Sequence, residues 1–390
     1  MKDISFYFHI PYCRNKCIYC DFYSGGARIA DWSGLFNAFL NELSSREEEW
    51  NGEHVISIYF GGGTPSLMPP QKLHDLMRDI THLIGSDNIS KDCEITIEVN
   101  PEDVIPDAIE KWKEAGINRI SVGIQTFNDK ELSLIGRKHS GSEALNALRL
   151  LQKTFGNISV DLIFGLPGQT LKDLNDDIDT ILTLHPQHIS VYSLMYEDGT
   201  ALTQLRKIGK IQPVDDNLAA EMFKDIVRRL EQAGYRRYEI SNYSIPGSES
   251  RHNMGYWMGR KYIGIGPAAH SYDGDALRSY NPADIKKYLE RYSHAGDITS
   301  NKAKSRQEAY NYYSHIEELS VIQKMEERIM LRLRMREGID LRQYKEEFGN
   351  SELQNLLTRG RKYINIGSLI LDKNHLYLAD EAVLYSDSII

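Results

Sequence analysis

The sequence predicts an α/β fold whose first half is a parallel sheet wound with helices, followed by a mostly helical C-terminal domain of winged-helix type. Three observations predict it. Apolar, β-branched runs are followed by helical patterns six times in a row before about residue 200. Beyond that point the pattern loosens, and residues 235–300 are rich in Tyr, Gly and Ser. From about residue 302 helical periodicity returns and closes on a hairpin signal.

The strand candidates are Ser5–Ile10, Val55–Phe60, Glu94–Val99, Arg119–Gln125, Ile158–Phe164 and His188–Leu194. Between them lie helix candidates Asp31–Trp50, Gln71–Ile84, Pro106–Ala115, Ser142–Thr154 and Leu171–Leu184. In the first helix, Leu35, Phe36, Phe39, Leu40 and Leu43 form the i, i+3/i+4 stripe of one buried face. Successive βα units imply right-handed crossovers, and periodicity alone leaves a barrel and an open sheet equally allowed. Asp216–Ala233 reads as a further helix stopped by Gly234. Met325–Arg336, Leu341–Phe348 and Ser351–Tyr363 are helix candidates, and Leu369–Leu371 and Leu376–Ala379 flank the turn Lys373-Asn374.

Composition narrows the function. At roughly 100–200 residues per domain, 390 residues make two or three domains, or one large α/β domain with an appendix. The 46 Lys and Arg against 55 Asp and Glu give a net charge of −9, which argues against a general nucleic-acid binder. Apolar runs are too short for a membrane span, and Met1-Lys2-Asp3 leads directly into a strand rather than a secretory leader. A cytoplasmic chain with reduced thiols is expected. Arg328, Arg332, Arg334 and Arg336 interleave with Glu326, Glu327, Glu337, Glu346 and Glu347, the pattern of a solvated amphipathic face.

Of the 4 cysteines, Cys13, Cys17 and Cys20 are bunched on the loop after the first strand. Structural zinc usually takes two pairs of ligands, and no second pair follows. Three thiolates on a short loop instead cap three corners of a [4Fe–4S] cluster and leave one iron open. Zinc with a distant fourth ligand and three unrelated buried thiols stand as alternatives. Cys93 reads as a small buried hydrophobe.

In a (β/α) barrel the chemistry gathers where the strands end. There the sequence places Gly61-Gly62-Gly63-Thr64-Pro65, Glu98, Gln125 with Arg137 beyond it, Asp161 ahead of Gly165-Leu166-Pro167-Gly168, and Tyr192-Ser193. Taken singly each reads as a turn or a cap, but charged or amide groups inside apolar strands are costly unless paired, and several at equivalent positions are harder to dismiss as chance.

The C-x3-C-x2-C loop and the GGG turn resemble the radical S-adenosylmethionine (SAM) superfamily. More narrowly, Tyr7-Phe8-His9-Ile10-Pro11-x-Cys13, Gly61–Pro65, Glu98-Val99-Asn100-Pro101, Gly123-x-Gln125-x-Phe127 and Asp161-Leu162-Ile163-x-Gly165-Leu166-Pro167 look like the oxygen-independent coproporphyrinogen III oxidase group. The oxidase branch carries a fourth cysteine two residues after the third, where this chain has Phe22. The sister branch, the HemW family of heme chaperones, has an aromatic there and an H-N-x-x-Y-W motif, matched by His252-Asn253-Met254-Gly255-Tyr256-Trp257.

The resemblance implies a partial, TIM-like (β/α)6 barrel over residues 1–235, an extension carrying the His252 motif over 236–300, and a C-terminal domain over 301–390. It implies a [4Fe–4S] cluster on Cys13, Cys17 and Cys20, and SAM contacted by Tyr7, Gly62 and Glu98. Gly63, Thr64, Gln125, Arg137, Asp161 and Ser193 match positions that in the oxidase hold a second SAM. It also implies a porphyrin ligand, heme, with His252 as its ligand and Tyr256 and Trp257 as aromatic faces. His270 is expected to line the pocket. The expected role is heme delivery to acceptor hemoproteins such as respiratory enzymes, without coproporphyrinogen oxidase activity. A homodimer and a peripheral membrane contact stay open, as do an oxidase and a radical methylase.

Overall fold

A computed structural model describes residues 2–293 and 315–390. The end of the extension, 294–300, and the first part of the expected helical return, 302–314, lie outside the described residues.

All six expected strands form: β1 (Asp3–Ile10), β2 (His54–Gly62), β3 (Ile89–Val99), β4 (Arg119–Gln125), β5 (Ile158–Phe164) and β6 (His188–Ser193). They pair parallel in chain order. Their helices are α1 (Trp32–Ser45), α2 (Pro70–Ile84), α3 (Pro106–Glu114), α4 (Asp129–Leu134), α5 (Gly141–Leu151) and α6 (Leu171–Leu184). This is the six-unit α/β architecture that the alternation predicts. Capping boxes start α5 at Ser140/Glu143 and α6 at Thr170/Asp173, satisfying first-turn N–H groups.

The helix expected over Asp31–Trp50 is broken. Asp31 caps Gly34 N at 2.8 Å, α1 ends at Ser45, and Glu47–Trp50 forms a separate turn. The break falls at Arg46, whose buried guanidinium turns inward to the Gly264 carbonyl at 2.9 Å and the Ser271 hydroxyl at 3.0 Å. Leu35, Phe36, Phe39 and Leu43 face the core, with Leu40 partly covered.

Three more helices, α7 (Ala201–Lys207), α8 (Asp216–Gln232) and α9 (Arg251–Trp257), follow the six parallel strands. Strands between residues 236 and 280, and again at 315–318, then extend the same sheet. β7 (Arg236–Arg237) and β8 (Asn242–Ser244) add antiparallel beyond β6. β9 (Tyr262–Ile265) joins β1 in parallel on the other side, followed by β10 (His270–Tyr272), β11 (Leu277–Tyr280) and β12 (His315–Glu318). The resulting order is β12-β11-β10-β9-β1-β2-β3-β4-β5-β6-β8-β7. The helix α10 (Ile285–Tyr292) packs on α1, with Tyr288 and Tyr292 in the main core.

The C-terminal part has the expected winged-helix order. It contains α11 (Val321–Leu333), β13 (Ile339–Asp340), α12 (Leu341–Phe348), α13 (Asn350–Asn365) and the hairpin β14 (Leu369–Asp372) and β15 (His375–Leu378). β13 pairs with β15, and Leu333, Ile339, Tyr344, Leu356, Leu369 and Leu376 form a second core. The four arginines near α11 are engaged within the chain. Arg328 meets Glu347 at 2.9 Å, Arg332 meets Gln343 at 3.2 Å, Arg334 meets Asp387 at 3.0 Å and Arg336 meets Glu231 at 2.8 Å. No helix among the described residues is long and apolar enough to cross a membrane.

Candidate functional site

The cysteine loop is tied to several elements. His9 Nε2 shares a hydrogen bond with the Tyr23 carbonyl at 2.9 Å, and Lys16 Nζ donates to the Phe22 carbonyl at 3.0 Å. Ile18 N donates to the Ile135 carbonyl, and Leu202 N at the start of α7 donates to the Ile18 carbonyl. Cys13, Cys17 and Cys20 are all partly exposed, as metal access requires, and Phe22 is 63% exposed.

Among the described residues, no three metal-ligating side chains converge on one point. The three thiols are gathered on one loop. Their chemistry nevertheless fits a cluster. The Thr64 hydroxyl donates to Cys13 Sγ at 3.4 Å, and an Arg137 N–H donates to Cys17 Sγ at 3.7 Å. Such donors stabilise thiolates from the outer shell. Burial, with the neighbouring Cys17 and Cys13, pushes the free Cys20 thiol up to about 11. Metal binding therefore releases protons here. Cys93 takes no part: it is buried in β3, where burial raises its thiol to about 12.

Above the loop, the strand-end residues form two groups. In the first, Tyr7, Tyr59 and Glu98 converge, each with an atom within 3.1 Å of where a Cβ on Gly61 would sit. Tyr59 Oη donates to Glu98 Oε1 at 2.9 Å, Gly62 N donates to Oε2 at 3.1 Å, and Tyr7 Oη hydrogen-bonds His9 Nδ1 at 3.1 Å. Burial pushes the Glu98 carboxyl up to about 7 despite these donors. In the second group, Gln125, Arg137 and Asn100 crowd around Gly123, within 3.7 Å of a Cβ there. Arg137 donates to Asn100 Oδ1 at 2.8 Å and to the Gly123 carbonyl. Asp161 accepts from Ser121 Oγ at 3.0 Å on the neighbouring strand. Ser193 ends β6 in register with Phe164, beside Tyr192, which is 41% exposed.

Gly63 shows why the turn after β2 is glycine. A Cβ there would lie 2.6 Å from the Tyr12 carbonyl and 2.8 Å from the Ile10 carbonyl. Gly63→Ala is expected to cost about 1–3 kcal/mol by overpacking against backbone and to lower iron incorporation. Urea midpoints and iron counts check this.

Glu98 sets a pH signature. Its folded pKa lies above the unfolded value, so between about pH 4.3 and 7 the folded chain holds a proton that the unfolded chain has lost. Stability therefore falls as pH rises through that window, by up to about 4 kcal/mol, an upper bound because the side chain is not fully sealed from solvent. Glu98→Gln is expected to flatten this slope in the ligand-free chain, read as urea midpoints between pH 5 and 8. An unchanged slope contradicts the assignment.

His252 lies in α9, 2% exposed, against Ser57 and Tyr59 of β2. Its Nδ1 meets Ser57 Oγ at 2.9 Å, its Nε2 meets Tyr256 Oη at 2.9 Å, and its ring stacks on Tyr59 at 4.8 Å. Burial and the Arg119 charge push its pKa down to about 3, so the ring is neutral. The helix is fixed by Glu94 Oε1, which accepts from His252 N at 3.1 Å. Tyr256 packs edge-on to Tyr262 at 4.6 Å. His270 is exposed on β10 against Tyr280, with ring centroids 5.0 Å apart.

The residues missed by sequence reasoning are Tyr59, His9 and Asn100, which hold Glu98, Tyr7 and Arg137. Tyr59 reads as one more apolar strand residue. His9 and Asn100 sit inside the quoted motifs, which was their available signal.

The chain matches the family model "Radical SAM superfamily" over residues 7–181 and "HemN C-terminal domain" over residues 319–385. It is 34% identical to the heme chaperone HemW of Bacillus subtilis over 89% of this chain and 87% of that protein. It is 32% identical to HemW of Lactococcus lactis over 97% of this chain and 94% of that one. A zebrafish (Danio rerio) mitochondrial radical SAM domain-containing protein 1 is 30% identical over 100% of this chain and 86% of its own length. The fold is similar to that of coproporphyrinogen III oxidase HemN from Escherichia coli, with a TM-score of 0.82 at 20% identity, covering 100% of this chain and 89% of that one. With a three-cysteine loop that places Phe22 where a fourth cysteine would stand, and relatives matched nearly end to end, the chain belongs to the HemW family within the radical SAM superfamily.

Proposed function

We propose that this chain is a heme chaperone that binds heme and hands it to acceptor hemoproteins such as respiratory enzymes. The observation that carries the reading is the near end-to-end relationship to two curated heme chaperones. Phe22, exposed on the cysteine loop, agrees with it.

Cys13, Cys17 and Cys20 hold a [4Fe–4S] cluster in this reading. When bound, the cluster supplies an open iron for the amino and carboxylate groups of SAM. Around it the chain's own groups do the binding. Glu98, fixed by Tyr59 and Gly62 N, accepts a hydrogen bond from an amine or ribose hydroxyl. Arg137 ties the cysteine loop to the end of β4. Tyr7 and Gly62 complete the lining for that SAM, Gly63, Thr64, Gln125, Asp161 and Ser193 line the position of a second SAM, and His252 is the residue proposed to ligate the heme iron. For that, Nε2 must release the Tyr256 hydroxyl it now meets. We place the chain in the cytoplasm, where its thiols stay reduced. Cluster and SAM support homodimerisation or the transfer step, which size-exclusion chromatography with and without SAM reports.

The alternatives are an oxidative decarboxylase and a radical methylase. Anaerobic, cluster-loaded chain with SAM, reductant and coproporphyrinogen III is expected to form no protoporphyrinogen. Turnover to protoporphyrinogen overturns the chaperone as the sole function, and a methylated product supports the methylase.

A further inference from the structure

The end of β4 is irregular. The pairing of β4 with β5 shifts register between Gly123 and Gln125, and Gln125 is a non-glycine residue at φ 73°. Bulges re-aim a side chain, and left-handed backbone at a side-chain-bearing residue persists only when its surroundings over-determine it.

The surroundings are specific. Thr126, Glu131, Gln169 and Asp177 are each at most 6% exposed. Phe127 N donates to Asp177 Oδ1 at 2.8 Å, and Asn128 N donates to Thr126 Oγ1 at 3.0 Å. Thr126 Oγ1 and Gln169 Nε2 both donate to Glu131 Oε2, at 2.8 and 3.1 Å. Gln169 Oε1 accepts in turn from Gly165 N at 2.8 Å and Leu166 N at 3.3 Å. One carboxylate oxygen of Glu131 thus joins the turn after β4 to the turn after β5, and fixes the backbone that presents Gln125 and follows Asp161.

We propose that Glu131 and Gln169 are positioning residues that hold Gln125 in its bulged conformation for binding SAM. This rests on the reading above that Gln125 lines a SAM site. Both are buried, and they act through Thr126 and the Gly165–Gln169 turn. A buried hydrogen bond to a charged group contributes enough to change affinity about tenfold when it is lost.

The test is a double-mutant cycle on the cluster-loaded full chain, with SAM affinity read by anaerobic equilibrium dialysis. Gln169→Ala is expected to weaken SAM binding about tenfold with unchanged iron content. In a Gln125→Ala background it is expected to add little, because both changes remove one presented side chain. Additive losses indicate general destabilisation and overturn the proposal, as does unchanged affinity in Gln169→Ala while Gln125→Ala weakens binding. Unchanged affinity in Gln125→Ala itself overturns the underlying reading, and the proposal with it. If Gln169→Ala does not fold, Thr126 supplies the same readout: Thr126→Ser is expected to retain SAM affinity and Thr126→Val to lose it, and equal affinities overturn the proposal.

Discussion

Replacing Cys13, Cys17 and Cys20 together with alanine is expected to abolish the brown iron–sulfur absorbance and the bound iron, and with them SAM binding at the open iron. The three thiols are the only cysteines on the loop, and the fourth, Cys93, is sealed in β3 with a thiol raised to about 12. It has no means of substituting. The loop cysteines lie outside the hydrophobic cores, and backbone bonds from Ile18, Gly25 and Leu202 hold the loop without them. Loss of iron should therefore leave the fold in place, visible as an unchanged circular dichroism spectrum. Cys93→Ala serves as the control and should keep its full iron content. A full iron count in the triple variant refutes the ligand assignment.

His252→Ala is the second large effect. It deletes a ring bonded to both Ser57 and Tyr256 and stacked on Tyr59; Ser57 keeps its bond to Ser5, while the Tyr256 hydroxyl loses its partner. A stability loss on the order of 1–3 kcal/mol per orphaned group is expected. The heme prediction is separate: affinity should fall and the Soret band should shift, since imidazole is a common axial ligand. Tyr256→Phe distinguishes the two effects. It frees Nε2 while keeping the ring against Tyr262, so heme binding should be retained or strengthened in that variant. An unchanged Soret band and affinity in a folded His252→Ala chain remove His252 as the ligand.

The six parallel strands were readable because they are largely buried on both faces and bounded by polar or glycine turns, as at Arg119–Gln125 and Ile158–Phe164, whose limits coincide with the observed ones. The extension was not. β9 is only four residues with Gly264 inside it, and its partner β1 is more than two hundred residues earlier, so no local pattern announces the pairing. Similarly, the break at Arg46 depends on carbonyl and hydroxyl partners near residues 264–271. In the site, the cysteines, the GGG turn and the strand-end polar residues are legible from spacing and from the cost of burying polar groups. The partners that aim them are not, because Tyr59, Glu131 and Gln169 look like ordinary strand, helix and turn residues until the fold brings them together. The environment of His252 belongs to this second class. Its motif is visible in sequence, but its engagement of both ring nitrogens is a tertiary fact.

The most direct measurement loads the purified chain with one equivalent of heme, removes free heme, and adds an apo-hemoprotein acceptor across a size-exclusion step. The account predicts that the heme spectrum leaves this chain and appears with the acceptor, faster than free heme released into buffer accounts for. Absence of heme binding, or heme retained by this chain in the presence of acceptors, contradicts the account.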